Sequence, residues 1–168
     1  MKRRIAVTVA FALLLAGCAK EGPKSATPQD FTATTACSLD GMPLAEFPGP
    51  KAQIHYADGK MDWFCDTVEL FSIYFKPELA TRVAALYVQD MAKASFEAPR
   101  GNWIDARSAY FVKGSSKRGS MGPTLISFAR QADAQAFAKA FGGQALAFAE
   151  VKPEMARLDG GALHDHRM

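Results

Sequence analysis

The sequence predicts an α+β domain built from two ββαβ units that share one compact body of antiparallel sheet and helix. Three observations carry this. The order strand, strand, helix, strand recurs, over about residues 37–92 and again over 105–152. Each helix shows apolar residues three and four apart, and each neighbouring strand shows alternation or a short apolar run. Paired turn residues punctuate the chain between them.

In the first unit, Met42 to Phe47 alternates weakly and is ended by Pro48-Gly49-Pro50. Ala52 to Tyr56 alternates as a strand, Asp58-Gly59 makes a hairpin turn, and Met61 to Cys65 returns. Asp66 or Thr67 can cap a helix whose apolar side holds Val68, Leu70, Phe71, Tyr74 and Phe75. Pro77 ends or restarts it, and Val83 to Val88 is the next strand. In the second unit, Ala109 to Val112 leads into a glycine- and serine-rich loop, and Thr124 to Phe128 is a strand. Asp133 to Phe141 is a helix stopped by Gly142-Gly143, and Ala145 to Phe148 closes the unit.

The 168 residues are 49% hydrophobic and 22% charged, a globular composition. Lys and Arg number 20 against 17 Asp and Glu, but Lys2, Arg3 and Arg4 lie at the extreme N-terminus. Without them the charges balance, so the basic pI is no argument for nucleic-acid binding. Those three residues precede an uncharged apolar run, Ile5 to Leu15, too short to span a bilayer and shaped like a secretory signal peptide. Leu15-Ala16-Gly17-Cys18 matches the site at which bacterial lipoproteins are cut and lipidated. The expectation is a signal peptide over 1–17, a lipid on Cys18 and a location on the periplasmic side of a bacterial membrane. Ala19 leans towards the outer membrane. Residues 18–36, rich in Pro, Ser and charge, read as a flexible tether. Residues 153–168 read as a loose tail in which His164 and His166 are solvated.

No phosphate-binding glycine loop, nucleophile elbow or metalloprotease motif is present. Soft donors are more promising. In Cys37-Ser-Leu-Asp-Gly-Met42 a thiol and a thioether flank Gly41, whose conformational freedom can turn both sulfurs to one ion. That pairing favours Cu(I) over hard ions. Cys65 either completes such a site or pairs with Cys37 in a disulfide. Met121, held between Ser120 and Gly122 in a polar loop, suits a mobile soft ligand. His55 alternates on its strand and reads as a surface residue.

Cys37-Ser-Leu-Asp-Gly-Met42, the stretch Phe47 to Ile54, Phe64-Cys-Asp66, Ala109 to Gly114, Met121-Gly122 and Phe128-Ala129 together resemble the NosL family, in order and over nearly the whole mature domain. The resemblance implies a lipoprotein copper chaperone for nitrous oxide reductase maturation, with a fold of two ββαβ units related to organomercurial lyase. It implies that Cys37, Met42 and Met121 hold Cu(I), and that the partners are the NosDFY membrane complex and, through it, nitrous oxide reductase. Relatives often carry a second Cys where this chain has Asp40, so the resemblance favours a Cys/Met site here. They often carry an aromatic where this chain has Cys65, which ranks Cys65 below Cys37. Two other readings compete: a lyase-like enzyme using Cys37, Cys65 and Asp66, and a scaffold lipoprotein with incidental sulfurs.

The anchor assignment makes a direct forecast. Cys18→Ser should abolish incorporation of a labelled fatty acid; label retained in the variant would reject it.

Overall fold

The structure, a computed structural model, describes residues 26–158. The signal peptide, Cys18, His164 and His166 lie outside those residues.

Alternation in Ala52–Tyr56 and Met61–Phe64 gives strands β1 and β2, joined through Asp58-Gly59. Helix α1 spans Thr67–Tyr74 and begins at Asp66, whose side chain caps it. Pro77 starts a second short helix, α2, Pro77–Ala80. Strand β3, Val83–Gln89, returns beside β1, and β4, Trp103–Asp105, adds an edge beyond it. The second unit runs β5 (Tyr110–Gly119), β6 (Gly122–Phe128), α3 (Gln131–Phe141) and β7 (Gln144–Ala147). Every strand pairing is antiparallel, and the sheet orders are β2-β1-β3-β4 and β6-β5-β7. In each unit the first strand is flanked by the second and third, so the repeat extends from element order to pairing.

Helix α1 joins the two sheets. Phe71 is fully buried and meets Phe111 of β5 edge-on at 5.0 Å, with Phe75 and Phe148 at 5.8 and 5.5 Å. Ile54, Leu86 and Leu125 belong to the same core. A smaller core of Met91, Val112, Ile126, Phe128 and Ala134 lies under α3.

Five expectations need correction. Met42 to Phe47 is not a strand: only Pro43 bridges to Ala36, and Leu44–Glu46 forms a 3-10 turn. Pro43 has no N–H to extend a ladder, and Pro48 restricts the residue before it. The glycine- and serine-rich segment is not a loop, because β5 runs through it to Gly119 and turns at Ser120-Met121. Its pairing with β6 is irregular between Lys113 and Arg118, where the glycine and serines fall.

Two further corrections share a cause. Residues 26–36 are not a free tether but an arm laid on the outer face of the first sheet. Gln29 N–H donates to Gln53 Oε1 at 3.1 Å, and Gln53 Nε2 donates back to Gln29 O at 2.6 Å. Phe31 is buried, edge-on to Trp63 and capped by the Arg100 guanidinium 4.2 Å from its ring centre. Trp103 Nε1 donates to Asp30 Oδ1 at 2.7 Å. This cover buries His55, which sits 2.9 Å from Gln53 Oε1 and edge-on to Tyr87; burial pushes its pKa down. At the other end, Pro153–Met155 forms a 3-10 turn and Ala156 is buried, so the start of the expected tail is packed as well.

Phe31→Ala should therefore lower unfolding free energy by about 3 kcal/mol, in the range of buried-aromatic truncations. Urea denaturation measures it; an unchanged midpoint would mean the arm contributes nothing to the fold.

Candidate metal centre

Two segments deliver the centre. The first is the loop 37–42, which closes on itself. Cys37 N–H donates to Met42 O at 2.8 Å, Gly41 N–H to Cys37 O at 3.0 Å, and Met42 N–H to Asp40 Oδ1 at 2.9 Å. Gly41 has φ +77°, a left-handed conformation in which a side chain would be strained. Ser38 and Trp63 then exchange bonds, N–H to O at 2.8 Å and N–H to Oγ at 3.0 Å, fixing the loop to β2.

The second segment is the junction of β2 and α1. Asp66 Oδ1 accepts from Val68 N–H at 2.9 Å, and Glu69 turns back to accept from Asp66 N–H at 3.3 Å, a reciprocal cap of the helix start. Turning back places Glu69 Oε2 at 3.0 Å from Cys65 N, 3.2 Å from Cys65 Sγ and 3.3 Å from Cys37 Sγ. Cys37 and Cys65 are free, buried thiols brought side by side across 28 residues of sequence. One donor atom each from Cys37, Asp40, Cys65 and Glu69 lies within 4.8 Å of the others. Asp40 alone of these four is exposed, so the group opens to solvent at the loop.

The β5–β6 turn forms the adjoining wall. Ser120 Oγ donates to Cys65 O at 2.7 Å, and the Met121 backbone amide favours the ionised form of the Asp66 carboxyl. The Met121 side chain is half-buried and packs on the core that contains both cysteines. Thr124 Oγ1 donates to Asp66 Oδ1 at 2.6 Å. A Cβ on Gly119 would come 2.2 Å from Asp66 Oδ2, so only glycine lets β5 pass this close to the helix cap. Lys51, fully buried, donates from Nζ to Cys65 O at 3.0 Å and to Pro48 O at 3.1 Å.

Electrostatically the two thiols are unequal. A hydrogen bond from Cys65 holds Cys37 down to about 6, against the opposing effect of burial. Cys65, as the donor in that bond and as a buried group, is pushed far up. Burial, reinforced by the charge of Cys37, raises Glu69 to about 8, and burial raises Asp66 to about 6. Glu69 Oε1 and Asp66 Oδ2 are buried without a hydrogen-bond partner. A thiolate, a second thiol within reach and an under-coordinated buried carboxyl suit a soft cation that can displace protons.

The NosL family profile matches residues 28–156. The chain belongs to the NosL family. It is 40% identical over 167 residues to the copper-binding lipoprotein NosL of Stutzerimonas stutzeri, covering 96% of this chain and 87% of that one. It is also 40% identical over 155 residues to the copper-binding lipoprotein NosL of Achromobacter cycloclastes, covering 89% and 80%. The crystal structure of the copper chaperone NosL from Shewanella denitrificans superposes with a TM-score of 0.72 at 38% identity, covering 76% of this chain and 97% of that one. The α+β architecture is that of this NosL structure.

Within this NosL domain the sequence-expected residues fall as follows. Cys37 is in the centre, and Met42 ends the loop that Cys37 begins. Met121 sits at the turn tip beside Ser120. Cys65, ranked last from sequence, is the second thiol of the cluster and supplies what Asp40 does not. Glu69, Asp40 and Lys51 were not singled out as site residues. Asp66-x-x-Glu69 was a legible signal for the first of them, since a capping box obliges the Glu to fold back over the helix start.

Ultraviolet absorbance at 240 nm should reveal the Cys37 thiolate. As pH rises the proton leaves, so the signal should grow with a midpoint near 6. Cys65→Ala removes the hydrogen bond that stabilises the anion and should move that midpoint upward; a midpoint unchanged by the substitution would separate the two thiols.

Proposed function

We propose that this chain is a Cu(I) chaperone, anchored through Cys18 on the periplasmic side of a bacterial membrane, with the outer membrane favoured by Ala19. Its acceptor is the NosDFY complex, through which the copper reaches nitrous oxide reductase. One observation carries the reading: Cys37 and Cys65 stand side by side in a member of a family whose curated relatives are copper-binding lipoproteins.

The chemistry follows from the donors. Thiolate and thioether ligands favour monovalent copper, whereas the neighbouring carboxylates alone would suit harder ions. Cys37 is the entry ligand because its proton leaves most readily. Cys65 holds its proton until the cation arrives, so loading releases protons. Glu69, in contact with both sulfurs and raised to about 8, sheds its own proton as the cation's charge arrives. Met42 and Met121 add neutral thioethers from the loop and from the turn tip. Few, soft ligands near an exposed loop leave room for an incoming sulfur to bond before the outgoing one departs, which makes transfer an exchange and not a release into water.

The adjacency of the two thiols also serves the lyase-like reading, which needs a cysteine pair and an acid. Its acid was Asp66, but the Asp66 carboxyl is turned to Val68, Thr124 and Gly119, outside the four-donor group. The carboxyl that meets the sulfurs is Glu69.

Anaerobic competition against a Cu(I) chromophore tests the proposal. Cys37→Ser and Cys65→Ser should each weaken binding by at least ~100-fold, and Met42→Leu and Met121→Leu by roughly 10-fold, since a thioether is a weaker neutral donor. Leucine keeps the apolar volume of methionine, so stability should hold in both Met variants. Full Cu(I) affinity in Cys37→Ser would reject the site, and turnover of an organomercurial by the unmodified protein would favour the enzyme.

A further inference from the structure

The two thiols of the centre are held together before any metal arrives. Cys37 and Cys65 are buried and free. Both meet the same oxygen, Glu69 Oε2, at 3.3 and 3.2 Å. Their sulfurs lie within 4.8 Å of each other, so a small shift brings them to bonding distance. The segments that carry them are pinned one residue beyond Cys37 and two residues before Cys65. There Ser38 N–H donates to Trp63 O at 2.8 Å and Trp63 N–H to Ser38 Oγ at 3.0 Å. The pairing is therefore built by the backbone and needs no cation to assemble it.

The two sulfurs differ in access. Cys37 opens a loop whose next residues, Leu39 at 41% exposure and Asp40, face solvent. Leu39 N–H also donates to Cys37 Sγ at 3.3 Å, a contact that favours the thiolate, which is the nucleophilic form. Cys65 has no exposed surface and sits at the helix junction behind it. An external reagent meets Cys37 first, and Cys65 is placed to follow.

We infer that Cys37 and Cys65 form a reversible disulfide that gates copper loading: oxidised, the domain cannot take Cu(I), and reduced, it can. The inference rests on the copper reading and adds the condition under which the centre is open. An oxidising compartment favours a bridge where two thiols meet. The oxidant is a disulfide, carried by a protein or a small thiol compound. The Cys37 thiolate attacks one of its sulfurs, forms a mixed disulfide and releases the other as a thiol. Cys65, deprotonated, then attacks Cys37 Sγ and releases the second thiol. The pair loses two electrons and two protons, and the oxidant gains both as it becomes two thiols. A reducing dithiol runs the same exchange backwards. Cu(I) occupies both sulfurs and blocks the first attack, so loading and oxidation exclude one another. Oxidation also removes the two S–H groups that Glu69 Oε2 accepts, leaving it the N–H groups of Cys65 and Asp66.

The test uses the processed protein in detergent, whose third sulfur, on Cys18, carries the proposed lipid. Apo protein is equilibrated anaerobically with mixtures of reduced and oxidised glutathione, alkylated and weighed by mass spectrometry. The expected product is one species with neither thiol free and no glutathione attached, returned to two free thiols by dithiothreitol. After removal of glutathione, Cu(I) competition should find the oxidised form at least ~100-fold weaker than the reduced form, and re-reduction should restore the affinity. Protein loaded with Cu(I) beforehand should resist oxidation. Cys65→Ser should trap glutathione on Cys37, because the second attack is missing. Glutathione left on the unmodified protein in place of the internal bridge, or an oxidised form with full Cu(I) affinity, would overturn the proposal. Reduced protein that cycles through the bridge but binds no Cu(I) would instead remove the copper reading, and the gate with it.

Discussion

The fold-back of Glu69 is the interaction on which the centre depends. One carboxylate oxygen meets the N–H groups of Cys65 and Asp66 and both cysteine sulfurs. The Asp66 contact belongs to helix capping and would be made by any capping box; the Cys65 N–H contact extends it by one residue. The other two occur because loop 37–42 is fixed against β2 directly above that cap. The same oxygen that starts α1 therefore brings together two thiols far apart in sequence, and the helix cannot lose its cap without loosening the metal centre. Burial without full hydrogen bonding raises the cost of leaving Glu69 ionised, which is consistent with its upward-shifted pKa.

The duplicated pairing pattern explains why the centre lies where it does. Each unit places its first strand centrally and leads from its second strand into a helix. In the first unit that junction carries Cys65-Asp66. In the second the corresponding junction follows Phe128 and carries no sulfur, and α3 covers its own small core. The second unit contributes through the turn between β5 and β6, whose Ser120 holds Cys65 and whose Gly119 allows close approach to Asp66. The centre is asymmetric within a symmetric arrangement of elements.

Much of this was legible in the residues. Periodicity located β1, α1, β3, α3 and β7, and Asp66 was readable as the cap, because these depend on local pattern. Strand β5 was cut short at Val112 because Gly114 to Gly119 lacks β-formers; pairing with β6 overrides that weak propensity. Residues 26–36 looked like linker because their composition is polar, yet Gln29 and Asp30 are satisfied by Gln53 and Trp103 on a sheet face, contacts no local window contains. Cys65 was undervalued for the same reason. Its partner, Cys37, comes from a different segment, and the apposition is a tertiary fact. Lys51, following Pro-Gly-Pro, reads as a turn residue, and nothing in the sequence announces that it is buried.

The docked arm shortens the leash. From Cys18 to Ala26 is eight peptide steps, which fully extended span about 28 Å; a linker free to residue 37 would span roughly 65 Å. Under the proposed anchoring at Cys18, the volume the domain could sweep would fall with the cube of that length, by roughly an order of magnitude, and the local concentration of its cargo near the bilayer would rise to match. With the lipid anchor proposed at Cys18, such a carrier would work as a crane bound to one berth, serving acceptors whose mouths stand within one domain's diameter of the membrane surface and not reaching across an open compartment.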